Sequence, residues 1–332
     1  MATGLGGGGT GSIAPYPGTY FVYKYVYKGT PITLPDKNVN VLRRVKGTGA
    51  IASLGNLVNQ LGLGLVNISS FGTLKPQSIS LMQENSDGYN VFVDLIEGMI
   101  SIQRQYGVDY YLSSKQPIQP IKITDMPADS VIIDIAKSFL SEHGISTADY
   151  GAPEVQNDWR IQYERMSAAD RTQFYIPESV SVVFPQLIDG ETVYEEGGAT
   201  TGLMVPINVR NHRADGVWNL SSQKYEGSSY TAVTDVNKVM AAVEKGNFRN
   251  YPQPELSGNA VVKEIEVGTP IKGYVRIWNY DGGKNNELLV PSLMFPVTKI
   301  PADELYFWQR YVVIPLAQEL LDQPVDGGVR PL

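Results

Sequence analysis

The sequence predicts a strand-rich α+β fold: two modules of antiparallel sheet, each covered by one amphipathic helix. Three observations predict it. Runs of β-branched and aromatic residues, separated by Asp-Gly and Gly-Gly turns, recur along the chain, as pleated, half-buried strands prefer. Two stretches, near 129–143 and 235–245, place apolar residues at helical spacing. The order hairpin, spacer, amphipathic helix, glycine occurs twice, with hairpins beginning near Tyr89 and Gly202 and helices near Asp129 and Asp235. Sheets with helices segregated to one face follow from such an order.

The elements read in turn as follows. Tyr20 to Tyr27 is a strand ended by Gly29-Thr30-Pro31, and Val39, Val41 and Val45 mark another. The glycine-punctuated stretch 47–72 has no clear pattern beyond a short helix near Leu54 to Leu61. Tyr89 to Leu95 alternates with period two, Glu97-Gly98 turns, and Met99 to Arg104 returns. Ile79 to Glu84 adds a strand before the Asp87-Gly88 turn. The first helix has Asp129 as its cap, a stripe of Val131, Ile132, Ile135, Ala136, Phe139 and Leu140, and Gly144 past its end. Val180 to Phe184 leads to the turn Asp189-Gly190, and Gly202 to Val209 pairs with Gly216 to Leu220. The second helix begins at Thr234 or Asp235 and stops at Gly246. Strands then run over 260–267, 271–280, 287–295 and 306–314. Gly151, Pro153 and the short run 167–170 set the module boundary, giving a tether at 1–19, modules at 20–150 and 151–322, and a tail at 323–332.

Composition narrows the function. The 332 residues include 27 Lys+Arg and 34 Asp+Glu, a formal charge of −7, with 2 His and no Cys. Disulfide, zinc-knuckle, iron–sulfur and thiol chemistry need cysteine, and a nucleic-acid partner needs a basic footprint that this balance lacks. No apolar run reaches the roughly 18 residues of a spanning helix. The Gly-, Ser-, Thr- and Pro-rich segment 1–19 reads as a flexible tether. A tether at an extreme N-terminus implies an anchor beyond it, so the expectation is an exported bacterial lipoprotein with Met1 standing where the lipidated cysteine would be.

The strand face of Phe21, Tyr23, Tyr25 and Tyr27 is an amphipathic binding surface for peptide or glycan if exposed, and core if covered. Arg43, Arg44 and Lys46 form a basic spot, either a solvated strand end or an anion site. Asp189, Glu191, Glu195 and Glu196 could supply paired acids for glycan or peptide hydrolysis, or a charged edge that discourages strand pairing. Asp281, Asn285 and Glu287 fit a hairpin better than a calcium loop. His143 suits a helix C-terminus and His212 a turn; a metal site on both needs two distant segments to converge. No metal and no cofactor is expected.

Tyr225, Tyr230, the run Thr234 to Met240, Gly246 and the strands near 271–277 and 289–296 resemble the exported regulatory proteins of the YycH/YycI type and small PepSY-like modules. The resemblance covers roughly 180–315 and implies a helix packed on a hairpin sheet outside the membrane, in a protein that inhibits or senses. The expected function is therefore a non-enzymatic binding or regulatory protein of a bacterial envelope, with a protein, peptide or envelope polymer as partner. A subunit of a surface layer, filament or virion is the second reading, and a carboxylate-based hydrolase the third.

Overall fold

A computed structural model describes residues 20–47, 77–85, 88–105, 119–249, 260–281, 284–304 and 307–322. Two sheets organise them, and the fold is α+β and strand-dominated, with mainly antiparallel pairing.

The first sheet holds β1 (Tyr20–Tyr27), β2 (Asn38–Arg44), β8 (Leu187–Ile188), β9 (Glu191–Glu195), β13 (Tyr225–Thr231), β14 (Ala260–Val267), β15 (Ile271–Asp281), β16 (Lys284–Lys299) and β17 (Tyr311–Pro315). Its order is β1-β14-β16-β15-β9-β8, with β2 and β17 also on β16 and β13 outside β2. The pairs β1–β14 and β9–β15 are parallel. The second sheet holds β3 (Ser78–Met82), β4 (Tyr89–Asp94), β5 (Met99–Arg104), β6 (Glu154–Val155), β7 (Ser179–Pro185), β10 (Gly202–Asn208), β11 (Arg213–Ala214) and β12 (Gly216–Ser221), in the order β3-β4-β5-β12-β10-β7-β6 with β11 on β10.

Each sheet carries one amphipathic helix. α1 (Asp129–Glu142) buries Ile132, Ala136, Phe139 and Leu140 against the second sheet's core, which includes Val182, Leu203 and Val205. Shorter helices α2 (Asp158–Arg165) and α3 (Ala168–Arg171) follow. α4 (Val236–Glu244) buries Val239 and Val243 in the first sheet's core with Tyr25, Ile265 and Phe295, and α5 (Gln318–Leu321) adds Leu321. Gly144 and Gly246 take positive φ of 65° and 78° just past α1 and α4, the left-handed geometry that ends a helix. Asp235 caps α4, accepting from Asn237 N–H at 2.9 Å. Asp129 does not cap α1. Ala128 holds that position, and Asp129, the first helical residue, instead accepts from Asn157 Nδ2 at 2.7 Å and Arg160 at 3.1 Å.

The β8–β9 turn carries φ of 52° at Asp189 and 84° at Gly190, so Asp-Gly forms the two-residue turn with both central residues left-handed that suits strand twist. The two cores are not the halves 20–150 and 151–322. Val217 on β12 pairs with Ile102 on β5, and Ser228 on β13 pairs with Val41 on β2. The chain moves from the first sheet to the second and back twice, crossing at short links such as Gln186 between β7 and β8. Alternation reveals a strand's faces but not its neighbours, which is why the boundary near 150 fails. The expected tether, tail and short helix near Leu54 lie outside the described residues. Among the described residues, no helix is long and apolar enough to cross a membrane.

Candidate binding groove

Between α2 and the segment 307–311 lies a groove of about 720 Å³. Trp159, Ile161 and Arg165 line it from α2, and Phe307, Trp308 and Arg310 from the opposite wall. A narrower extension runs past Gly197 and Thr200. The groove therefore sits where the two sheets meet, a usual place for ligand sites. Two contacts join its two walls. Arg310 Nη2 donates to Asp158 Oδ1 at 2.7 Å, and Arg165 Nη1 donates to the Phe307 carbonyl at 3.0 Å. Trp308 stands on the lip with 68% of its surface exposed. Its ring passes Gly197 so closely that a Cβ there would lie 3.4 Å from it. The Trp159 indole N–H is buried and has no hydrogen-bond partner among the described residues.

The tyrosine face supports this wall from behind rather than forming a surface of its own. Tyr25 is 6% exposed. Its hydroxyl donates to Gln309 Oε1 at 2.6 Å, and Gln309 Nε2 in turn donates to the Gly246 and Tyr311 carbonyls at 2.9 and 3.0 Å. Tyr23 meets Phe307 edge-on, with centroids 5.6 Å apart. Tyr27 meets Phe295 in the same way at 5.7 Å, and its hydroxyl donates to the Thr30 carbonyl. The reason is α4, which packs on β1 and takes Tyr25 into the core with Tyr27 against it, while Tyr23 stays exposed beside Phe307. Burial pushes the Tyr25 hydroxyl up to about 12, with a smaller push from Tyr23. The backbone of Phe21 lies in β1, parallel to β14.

The basic spot is consumed internally. Arg44 is fully buried; its Nε donates to Glu287 Oε2 at 2.7 Å and its Nη2 to Glu97 Oε2 at 3.3 Å. Lys46 reaches Glu97 Oε1 at 2.7 Å and the Asn285 carbonyl. Tyr225 donates to Glu287 Oε1 at 3.5 Å and accepts from Gln186. Burial, and then the Glu287 charge, raises the Tyr225 hydroxyl well above its ordinary value. Only Arg43 of the arginine pair reaches solvent, beside Glu226 at 3.1 Å. An anion thus finds its place at Arg44 already taken by two carboxylates.

The acidic group is divided in the same manner. Glu195 pairs with Arg276 and Glu196 with Arg249, leaving Asp189 at the β8–β9 turn and Glu191 exposed beside it. Glu287 serves Arg44, and the Asn285 carbonyl serves Lys46, so neither is part of a calcium loop. Among the described residues no cluster of three or more metal-ligating side chains forms.

The two histidines do converge. His143 and His212 line one open concavity of about 560 Å³ with Tyr89, Ile135, Ser138 and Arg213. His143 still ends α1, with Nδ1 2.8 Å from the Phe139 carbonyl and its ring on Phe139 at 4.2 Å. Of the expected sheet-facing stripe, Val131 is exposed and borders this concavity instead, while Ile135 packs against the core and also lines the concavity. The sequence reading missed Trp308, Trp159, Asp158 and Arg310. The run Phe307 to Tyr311 is dense in aromatic and polar residues, but an aromatic run alone does not distinguish a lip from a core. No family model, curated protein or solved structure matches the chain.

Proposed function

We propose that this is a non-enzymatic binding or regulatory protein of a bacterial envelope, held outside the cytoplasm by an N-terminal lipid, that takes a protein, peptide or envelope polymer into the groove between α2 and 307–311. The carrying observation is Trp308, a large aromatic left exposed on the lip of a concave site. Exposed apolar patches rimmed by polar residues mark binding sites, Trp308 shares the groove with Ile161 and Phe307, and a tryptophan that serves as a hot spot contributes about 2 kcal/mol or more to an interface. The Asp158–Arg310 pair gives the rim both signs of charge. The likeness to YycH/YycI and PepSY-like modules, and the tether-like composition of 1–19, support the regulatory and exported parts of the reading.

The test is recovery of partners from envelope extract by immobilised wild-type chain and by Trp308→Ala, with tryptophan fluorescence titrations against soluble peptidoglycan fragments and extended peptides. Loss of 2 kcal/mol corresponds to roughly thirtyfold weaker binding. Equal recovery and equal titrations would remove the groove from consideration.

A further inference from the structure

The charges along the groove narrow the class of its ligand, given the reading of that groove as a binding site. Its lining holds the cations Arg165, Lys299 and Arg310 and the anions Glu154 and Asp158. Most of these are already matched. Arg310 donates to Asp158 Oδ1 through both Nε at 3.1 Å and Nη2 at 2.7 Å. Lys299 pairs with Glu266 at 3.0 Å. One charge of each sign is left. Arg165 donates Nη1 to the Phe307 carbonyl at 3.0 Å and meets no carboxylate among the described residues. A guanidinium carries five N–H donors, so most of that fork remains for a ligand. Glu154 likewise pairs with no cation among the described residues.

These two charges stand toward opposite ends of the groove. Arg165 is the last residue of α2, whereas Glu154 lies on β6, ahead of that helix. Glu154 also lines the narrow extension beside Asp158, where α2 begins. At 1.5 Å per residue, the length of α2 from Asp158 to Arg165 is about 10 Å. Ile161, Phe307 and Trp308 make the groove apolar between its charged ends.

A positive end, a negative end and an apolar middle select by charge. A neutral glycan leaves both charges unmatched, and a polyanion brings like charge to Glu154. Charges of both signs on one chain, with an apolar side chain between them, belong to a peptide. Along an extended peptide, residues i, i+2 and i+4 share a face, and the outer two are about 13 Å apart. We propose that the groove takes an extended peptide, with an acidic residue on Arg165, an aromatic or apolar residue against Trp308 and Phe307, and a basic residue on Glu154. The acidic residue would sit in charge-assisted hydrogen bonds from the guanidinium. Arg165 and Glu154 are then the residues that decide which peptides bind.

The test is calorimetric titration of the full chain at low ionic strength. The probes are acetyl-Glu-Ala-Phe-Ala-Lys-amide, the same peptide with Gln replacing Glu, Lys or both, and chitotetraose as a neutral glycan. The charged peptide should bind about tenfold tighter than the doubly neutral one, as two rim ion pairs allow, and added salt should shrink the gap. In Arg165→Gln, replacing the peptide's Glu should make no further difference. In Glu154→Gln the same should hold for the peptide's Lys, a coupling expected only of groups in contact. Both variants should bind the doubly neutral peptide as the unaltered chain does, which shows the groove intact, and Trp308→Ala should weaken every peptide alike. Equal affinity for charged and neutral peptides, or Trp308-dependent binding of chitotetraose tighter than either, would overturn the proposal while leaving the groove a binding site. Absence of Trp308-dependent binding by any probe would remove both.

Discussion

Neighbouring arginines on β2 provide a matched test of what holds the two sheets together. Arg44 has a side chain with 0% exposure and Glu287 one with 6%, whereas Arg43 and Glu226 are 59% and 63% exposed. The perturbation is Glu287→Gln, which keeps shape and removes charge. It leaves the buried Arg44 guanidinium with Glu97, 3.3 Å away and partly exposed, and with the Glu97 carbonyl. Breaking a buried pair from one side typically costs 3–5 kcal/mol. Because Glu97 stays in place, about 3 kcal/mol is expected, a large share of the 5–15 kcal/mol that usually separates folded from unfolded states.

Arg43→Ala should cost under about 1 kcal/mol, since an exposed pair gains little in water. Replacing both buried partners, as Arg44→Met with Glu287→Leu, should cost less than either single change, because no uncompensated charge is left and Lys46 still holds Glu97. Urea unfolding followed by circular dichroism measures all three variants. Glu97 lies in the β4–β5 turn of the second sheet and Glu287 on β16 of the first. The single change should therefore also loosen the junction, seen as faster amide exchange in the β4–β5 turn. If Glu287→Gln were no costlier than Arg43→Ala, the claim that this cluster joins the sheets would be refuted.

Burial raises both Tyr25 and Tyr194 to about 12. Their contribution is complete below pH 10 and is lost as pH climbs toward 12, at about 1.4 kcal/mol per pH unit for each. Stability measured from pH 9 to 12 should fall along that slope, and Tyr25→Phe should remove one tyrosine's share. Gly246→Ala puts a Cβ 2.0 Å from Tyr25 Cε2 at φ 78°; a loss of more than about 2 kcal/mol is expected from overpacking and strain, measured by thermal melting. Asp235→Ala should cost about 1 kcal/mol through the lost cap on α4, with Asp235→Ser recovering most of it in the same melts.

Local patterns in the sequence carried the secondary structure and left the assembly open. The β4–β5 hairpin, the Asp189-Gly190 turn, β14 and both capping glycines follow from period-two alternation and from residues that tolerate positive φ. These are short-range properties, and the chain states them outright. Which strand lies beside which is a long-range property. Nothing in Gly216 to Leu220 says that it will meet Met99 to Gln103 rather than only β10. The parallel pairing of β1 with β14 joins residues separated by most of the chain. The site suffered for the same reason. Tyr25 and Arg44 are residue types that bind ligands on surfaces, but α4 covers one and Glu287 neutralises the other. Trp308 went unmarked because its exposure depends on α2 and 307–311 standing opposite each other, an arrangement set by the fold and not by the run of residues around it.

The tyrosine strand and the groove are nevertheless one construction. β1 lends Tyr23 to Phe307 and Tyr25 to Gln309, so residues 307 and 309 are held by β1 while Trp308 between them faces out. Exposure alternates along the run: Phe307 and Gln309 are half-buried, whereas Trp308 and Arg310 are exposed. A ring held this way loses little freedom when a ligand covers it, and low ordering cost is what lets a small aromatic contact yield affinity. The 6% exposure of Tyr25 is thus compatible with a part in binding. That part is indirect: it keeps the lip rigid, and its removal should weaken recognition through Gln309 without deleting any contact a ligand makes.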